Sequence, residues 1–380
     1  MAKVYFFNVG HGEAILIKYP NLRIIRDFGR SPFAKDTAFS CHIEKLAYHW
    51  VTNRTLYAND NITDIAILSH LHEDHFNGFI ELHKNYNQKF FKKAFIPWLS
   101  FDELNAVGGF ILQINLFLAR FYCNTPYQNN NQYKKTLKII PVLFDLSEEL
   151  YCVRAGHTFN EIPDKNNVYW PSLNSNEVDS KDLNDFNDII NSCLHERNVG
   201  DFKEDSQQLL ERIKFLIDNK SINHNPQNTI DFIDFIDFIS EKVLDKRPTQ
   251  KESERLRYMS SKYIDNNSII FAIEDKALFL SDADDKCVSD ALNGITAREY
   301  KYIKAGHHGN RGFQPLNALN FKSDEVICCC GPAHRKWWGP SVDYSTIGKN
   351  YCTDWNDNSD RWSNKNLFMF EKKSVISRKL

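Results

Sequence analysis

Hydrophobic positions near the N-terminus fall into two short runs, Val4 to Val9 and Ala14 to Tyr19; the second resumes at Ile24 and Ile25 after Pro20-Asn21. They predict a two-stranded ribbon that turns at Gly10-His11-Gly12 and ends at Asp27-Phe28-Gly29. Residues 40–52 carry an apolar stripe at helical spacing. Asp64-Ile65-Ala66-Ile67-Leu68-Ser69 has the length and composition of a buried strand. A helix start is predicted at Gly78 to Asn85, a second helix over 101–121, a loop over 124–133, and strands over 138–170. Strand patterns return at Ser268 to Ile273, Ala277 to Leu280, Tyr302-Ile303-Lys304, Glu325 to Cys330 and Leu367 to Phe370.

Between these halves the chain changes character. Residues 172–260 are rich in Asn, Asp and Lys, with helical patterns at 204–219 and 229–245. Within the second, Asp231, Asp234 and Asp237 recur every third position among Phe and Ile, giving an apolar helix with an acidic stripe. This segment reads as an inserted helical hairpin packed on the core; the other reading is an element that docks a protein partner or covers a substrate. The organisation is therefore 1–171, an insertion at 172–260, and 261–380.

Composition narrows the field only slightly. Over 380 residues, 42% are hydrophobic and 13% aromatic, enough for a sizeable core. A net charge of -2 announces neither a nucleic-acid nor a membrane partner globally, although a local basic patch stays compatible with it. The most apolar stretch, Val107 to Phe121, is too short for a membrane span and is broken by Gln113, Asn115 and Arg120. The first residues read as a strand, not as a signal peptide. Nine scattered cysteines without CxxC spacing read as reduced thiols, hence a cytoplasmic location. Cys328, Cys329 and Cys330 sit in an apolar run and read as buried strand.

The chemistry concentrates in His70-Leu71-His72-Glu73-Asp74-His75. Imidazoles ligate zinc, manganese and iron, and a carboxylate adds the charge that holds a second ion. His70 and His72 leave an extended strand end on one side. Asp74 and His75 can then turn toward a neighbouring ion. In layered α/β folds, the C-terminal edge of such a strand is where ligands collect.

His-x-His-x-Asp-His after an apolar strand resembles the signature of the metallo-β-lactamase superfamily. Further pieces extend the resemblance over most of the chain outside the insertion. Asp27 matches an early aspartate that supports the ligands, Asp282 one that bridges two metals, and Gly306-His307-His308-Gly309 the late histidine. A narrower likeness is to the nuclease domain of the bacterial competence protein ComEC. Its carriers are Asn8-Val9-Gly10-His11-Gly12-Glu13-Ala14, Asn266-Asn267-Ser268, Ser281-Asp282-Ala283, Lys304-Ala305-Gly306-His307-His308-Gly309 and Tyr351-Cys352-Thr353-Asp354. The resemblance implies a four-layer αββα sandwich, the two flanking segments being its halves. It implies two divalent ions, Zn²⁺ or Mn²⁺ with Mg²⁺ as an option, held by His70, His72, Asp74, His75, Asp282 and His308. It implies hydrolysis of DNA phosphodiesters by a metal-activated water, with Asp74 and His72 at the reacting centre. ComEC surrounds this domain with a membrane channel; no such channel is expected here.

The departures from the pattern matter. Many superfamily members carry a histidine where this chain has Asp265-Asn266-Asn267-Ser268, so one site lacks an imidazole. Water, Asn267 or a substrate oxygen would complete it, and more oxygen ligands favour manganese or magnesium over zinc. His157 resembles a missing ligand but precedes the insertion and reads as a bystander. Of the late pair, His308 aligns with the ligand, and His307 is left for substrate or a supporting contact. His11 is either a turn histidine bonded to backbone or a group facing the site. Lys304 and Arg311 flank the late histidines, and His334-Arg335-Lys336-Trp337-Trp338 sets cations beside aromatics, a combination that holds phosphates and stacks bases. That segment also reads as a surface loop with buried tryptophans. Three functions stay open: a nuclease, a hydrolase of small phosphodiesters or lactones, and a noncatalytic partner in a larger defence assembly.

Overall fold

The computed structural model describes residues 2–31, 42, 45–47, 63–86, 88–123, 132–172, 177–219, 226–330, 344–353, 369–370 and 375–380. Its strands are Lys3–Phe7 (β1), Ala14–Lys18 (β2), Leu22–Phe28 (β3), Thr63–Ile67 (β4), Phe91–Pro97 (β5), Ser147–Val153 (β6), Asn166–Trp170 (β7), Ile270–Ile273 (β8), Ala277–Phe279 (β9), Glu299–Lys304 (β10), Lys322–Cys328 (β11), Lys349–Cys352 (β12), Met369–Phe370 (β13) and Val375–Lys379 (β14). The main helices are Glu73–Asn85 (α1), Val107–Tyr122 (α2), Gln132–Leu146 (α3), Ser180–Cys193 (α4), Glu196–Asp218 (α5), Pro226–Ser240 (α6), Gln250–Asn266 (α7), Asp285–Asn293 (α8) and Phe313–Ala318 (α9).

The strands form two seven-stranded sheets, ordered β14-β1-β2-β3-β4-β5-β6 and β13-β12-β11-β10-β9-β8-β7. Pairing is parallel from β3 to β6 and from β9 to β13, so each sheet has a parallel block beside an antiparallel ribbon. The protein is thus a mixed α/β molecule built on two parallel-rich sheets.

Side-chain alternation explains how the sheets are covered. Ile24, Ile65 and Phe95 of the first sheet share one apolar cluster with Phe271, Phe279, Tyr302 and Ile327 of the second. Their neighbours Ile25, Ala66 and Ala94 point the other way and meet Phe76, Phe79, Phe110 and Ile140 of the helices. On the second sheet, Leu278, Ile303 and Val326 meet Val288, Ala291 and Leu316 of α8 and α9. β3 is buried at all seven positions, as a strand covered on both faces must be.

Several local readings change. The apolar run over 138–146 is helix, not strand: α3 continues to Leu146 with Pro141 inside it. Its residues are buried on nearly every side, so few polar positions mark a helical period. Strands do follow, at β6 and β7. α1 begins at Glu73, earlier than Gly78, so the histidine motif itself opens the helix. Gly78 lies inside it because a Cβ there would stand 2.6 Å from the Phe28 ring. Two helices beyond the expected pair occur in the middle segment, α4 and α7. Thr249 and Glu252 cap α7 reciprocally, and the helix runs past residue 260 to Asn266. Phe202, Leu209 and Ile236 of the middle segment join the same cluster as α2 and α3. Most of the helix expected over 40–52, and the loop residues 124–131, lie outside the described residues. Among the described residues no helix is long and apolar enough to cross a membrane.

Candidate metal centre

The parallel blocks of both sheets end at one place. β4 leads through Leu68-Ser69 to His70; His72 caps α1, and Glu73 and Asp74 fill its first turn, where the helix dipole favours carboxylates. β9 leads to Asp282, and β10 leads to His307-His308. Asp265 arrives on the last turn of α7.

The side chains converge. Asp282 Oδ2 lies 3.5 Å from His75 Nε2, 3.7 Å from His70 Nε2 and 3.7 Å from His308 Nε2. His308 Nε2 is 3.1 Å from Asp74 Oδ2. His72 Nδ1 is 3.1 Å from Asp265 Oδ1, and His70 Nε2 is 4.0 Å from that same oxygen. Two donors each about 2.1 Å from one tetrahedral ion stand about 3.4 Å apart, so these separations suit metal ligands.

Supporting contacts aim the rings. Asp27, at φ 52°, accepts the Ser69 backbone N–H at 2.6 Å through Oδ1 and faces His75 Nδ1 at 3.1 Å through Oδ2. Ser69 Oγ sits 3.0 Å from His70 Nδ1. His308 donates Nδ1–H to the Cys329 carbonyl at 2.7 Å. In each case the other nitrogen, Nε2, is left facing the cluster, the arrangement that fixes the tautomer of a metal-binding imidazole. Gly29 lets the chain pass beside α1, since a Cβ would lie 2.3 Å from the Asp74 carbonyl carbon.

Electrostatics follow from crowding. Burial and the neighbouring His75 push His70 well below the usual imidazole range. Burial and His308 lower His11 to about 3. Burial opposes ionisation of Asp282, but His75, His70 and His308 outweigh it and hold the carboxyl well below its ordinary value.

The residues fit divalent metal. His70 Nε2, His75 Nε2 and Asp282 Oδ1 are buried without a hydrogen-bond partner among the described residues. Orphaned polar atoms of this kind cost stability unless something pairs with them. Four donor groups, His70-His72-Asp265, His70-His75-Asp282, His11-Asp74-His308 and Glu13-His75-His308, each lie within 4.8 Å internally. Mixed imidazole and carboxylate donors suit zinc or manganese.

The remaining expected residues are placed as follows. His11 is buried, with its ring 4.3 Å from that of His308 and Nε2 4.0 Å from Asp74 Oδ2. His307, at φ 44°, flanks His308 with ring centroids 5.9 Å apart and belongs to none of the donor groups. Arg311 donates to Asp265 Oδ2 at 3.1 Å and to the Asp282 carbonyl. Asn267 donates its amide to the Tyr263 carbonyl at 2.9 Å, and it is the aspartate two positions earlier that faces the imidazoles. His157 packs among Phe95 and Phe159. Lys304, expected either to support the site or to meet substrate, is fully buried and ion-paired with Glu13, which also pairs with buried Arg26 and stands beside His75 and His308, a supporting position. His334, Arg335 and Lys336 lie outside the described residues.

Sequence reasoning missed two groups, Asp265 and Glu13. Asp265 ends a polar helix whose pattern gives no hint of a ligand. Glu13 sits in a motif that had been noticed, but its partners come from β3 and β10. No protein-family model matches this chain, and no curated protein matches it.

Proposed function

We propose that this chain is a metal-dependent hydrolase, a four-layer αββα sandwich of the metallo-β-lactamase type resembling the ComEC nuclease domain, that cuts DNA phosphodiesters. The observation that carries the hydrolase reading is the convergence of Asp282 and His308, from the second sheet, on the His70–His75 turn of the first, at 3.1–3.7 Å. His70, His72, Asp74, His75, Asp282 and His308 would hold two divalent ions. Such ions supply Lewis acidity, acidifying a water and neutralising charge that builds on substrate oxygens.

The protein's own groups orient the reactants. Among the six, His72 and Asp74 keep side-chain exposure of 29% and 19%, while the other four have at most 3%. Substrate therefore enters past His72 and Asp74. Besides ligating, Asp74 is placed to orient or accept a proton from the attacking water. Asp27, Ser69 and the Cys329 carbonyl keep the imidazoles in one tautomer, and Arg311 steadies Asp265 and the Asp282 backbone.

DNA as substrate rests on the sequence resemblance. One observation favours a second reading, a small phosphodiester or lactone: Lys304 is buried, and Arg311 is engaged with Asp265 and Asp282. The test is incubation of purified protein with linear and circular DNA in Mn²⁺, Mg²⁺ or Zn²⁺, with His72→Ala and Asp74→Ala controls. Metal-dependent cleavage lost in both variants is the expected result. Cleavage of a chromogenic phosphodiester but not of DNA would establish the second reading. Hydrolysis of neither, nor of a lactone, in any metal would end the hydrolase reading.

A further inference from the structure

We infer that Asp265 is itself a metal ligand, so that the two ion sites are chemically unequal and the one it completes takes a hard, oxygen-preferring cation such as Mn²⁺. This rests on the metal-centre reading above and goes beyond it, because it assigns a seventh ligand and a metal preference to one site.

Four observations carry it. Asp265 Oδ1 faces two imidazole nitrogens at once, His72 Nδ1 at 3.1 Å and His70 Nε2 at 4.0 Å. A carboxylate serving only to orient His72 would have no reason to confront the unpartnered nitrogen of His70 as well. Its other oxygen, Oδ2, is occupied by Arg311 at 3.1 Å, leaving Oδ1 to point at the imidazoles alone. The side chain is 3% exposed, so the carboxylate is not balanced by water. Finally, Asp265 Oδ1 is buried without a hydrogen-bond partner among the described residues, as a ligand oxygen would be with its ion absent.

The donor sets then match in composition and differ in their surroundings. His70, His72, Asp265 and Asp282 give two imidazoles and two carboxylates. Asp74, His75, His308 and the shared Asp282 also contain two imidazoles and two carboxylates, but His11 stands beside them, its Nε2 4.0 Å from Asp74 Oδ2 and its ring 4.3 Å from that of His308. An added imidazole makes that second set the softer and more zinc-like of the two. His72 is the exposed member of the first set, at 29%, and a substrate oxygen arriving on that side would add a further hard donor to an ion held there.

The experiment begins with wild-type protein, stripped by chelation and reloaded with Mn²⁺, Zn²⁺ or both, with ions per chain counted by plasma mass spectrometry and affinities measured calorimetrically. Two ions per chain are expected, one exchanging readily between metals and preferring Mn²⁺. Asp265→Asn should keep one tight ion and bind the other at least about 100-fold more weakly, the upper range for losing even a supporting group. Asp265→His should restore both ions and shift the weaker site toward Zn²⁺. Crystals of the wild type soaked in Mn²⁺ give a readout independent of any variant's folding. An anomalous peak about 2–2.5 Å from Asp265 Oδ1 supports the assignment. Two ions bound with Asp265 outside the coordination shell, or Asp265→Asn binding both with wild-type affinity, overturns it while leaving the metal centre intact. A wild type that binds no ion overturns the metal-centre reading as a whole.

Discussion

Replacing Gly29 by alanine tests whether close chain approach is what aims the ligands. The added Cβ would stand 2.3 Å from the Asp74 carbonyl carbon and the His75 nitrogen and 2.5 Å from the Asp74 oxygen. Carbon atoms in contact sit about 3.5 Å apart, so about 1 Å must open between the end of β3 and the start of α1. The obstacle is backbone on both sides, and no flexible side chain can swing away. Glu13 ties the same place together, donating to the Asp74 carbonyl at 2.9 Å and accepting from Gly29 N–H at 2.8 Å. Overpacking of this kind costs roughly 1–3 kcal/mol. With an unfolding entropy of about 2.1 cal/mol/K per residue, even the larger cost lowers the melting temperature by only about 4 °C in a chain of this length. The shift falls on Asp74 and His75, however, and a displacement of about 1 Å at a reacting centre costs on the order of 100-fold in rate. The variant should fold, melt slightly early in chelator, and bind metal and turn over far more weakly. Thermal melts with and without Mn²⁺, calorimetric titration and the cleavage assay measure all three. A variant that melts early yet binds both ions with wild-type affinity would show that the Gly29 contact does not position the donors.

Two other expectations follow from contacts already described. Asp27→Asn keeps the shape but not the charge that meets His75 Nδ1, so metal affinity should fall about 10–100-fold, read by chelator competition; unchanged affinity would assign Asp27 to the fold alone. Asp182 links α4 to α7: burial opposes its ionisation, but hydrogen bonds from Lys262 and Tyr263 and the charge of Arg255 hold its carboxyl below the usual range. A depressed folded-state pKa contributes stability above the unfolded value near ~4 and loses it as pH falls through the folded one. Chemical denaturation from pH 6 down to 3 should therefore show a smaller acid loss in Asp182→Asn than in the wild type, and equal slopes would refute the linkage.

What the sequence disclosed depended on how local the signal was. The run from His70 to His75 holds four donors in six residues, and no ordinary packing pattern produces it. Asp27, Asp282 and His308 were legible through the resemblance to metallo-β-lactamase motifs, and each lies near the end of a strand. Asp265 was not, because it closes a hydrophilic helix whose course depends on packing against α2 and α4. The strand expected through Ile139-Ile140-Pro141-Val142 failed for a related reason. A continuous apolar run has no period, and the proline argued against a helix that the surrounding core nevertheless stabilises. The burial of Lys304 was not legible because its partner Glu13 comes from the turn before β2, in the opposite sheet and distant in sequence.

The order in which the donors occur along the chain has a consequence for biosynthesis. A nascent polypeptide leaving the ribosome presents the His70–His75 turn while Asp265, Asp282 and His308 are still untranslated. On the proposed metal centre, that early fragment would grip an ion only loosely, and any metal it caught would be free to be traded. If the centre holds metal as proposed, tight capture would wait until β10 docks, the ion would act as a late clasp across the two sheets, and metal scarcity in the cell should slow maturation at its final step.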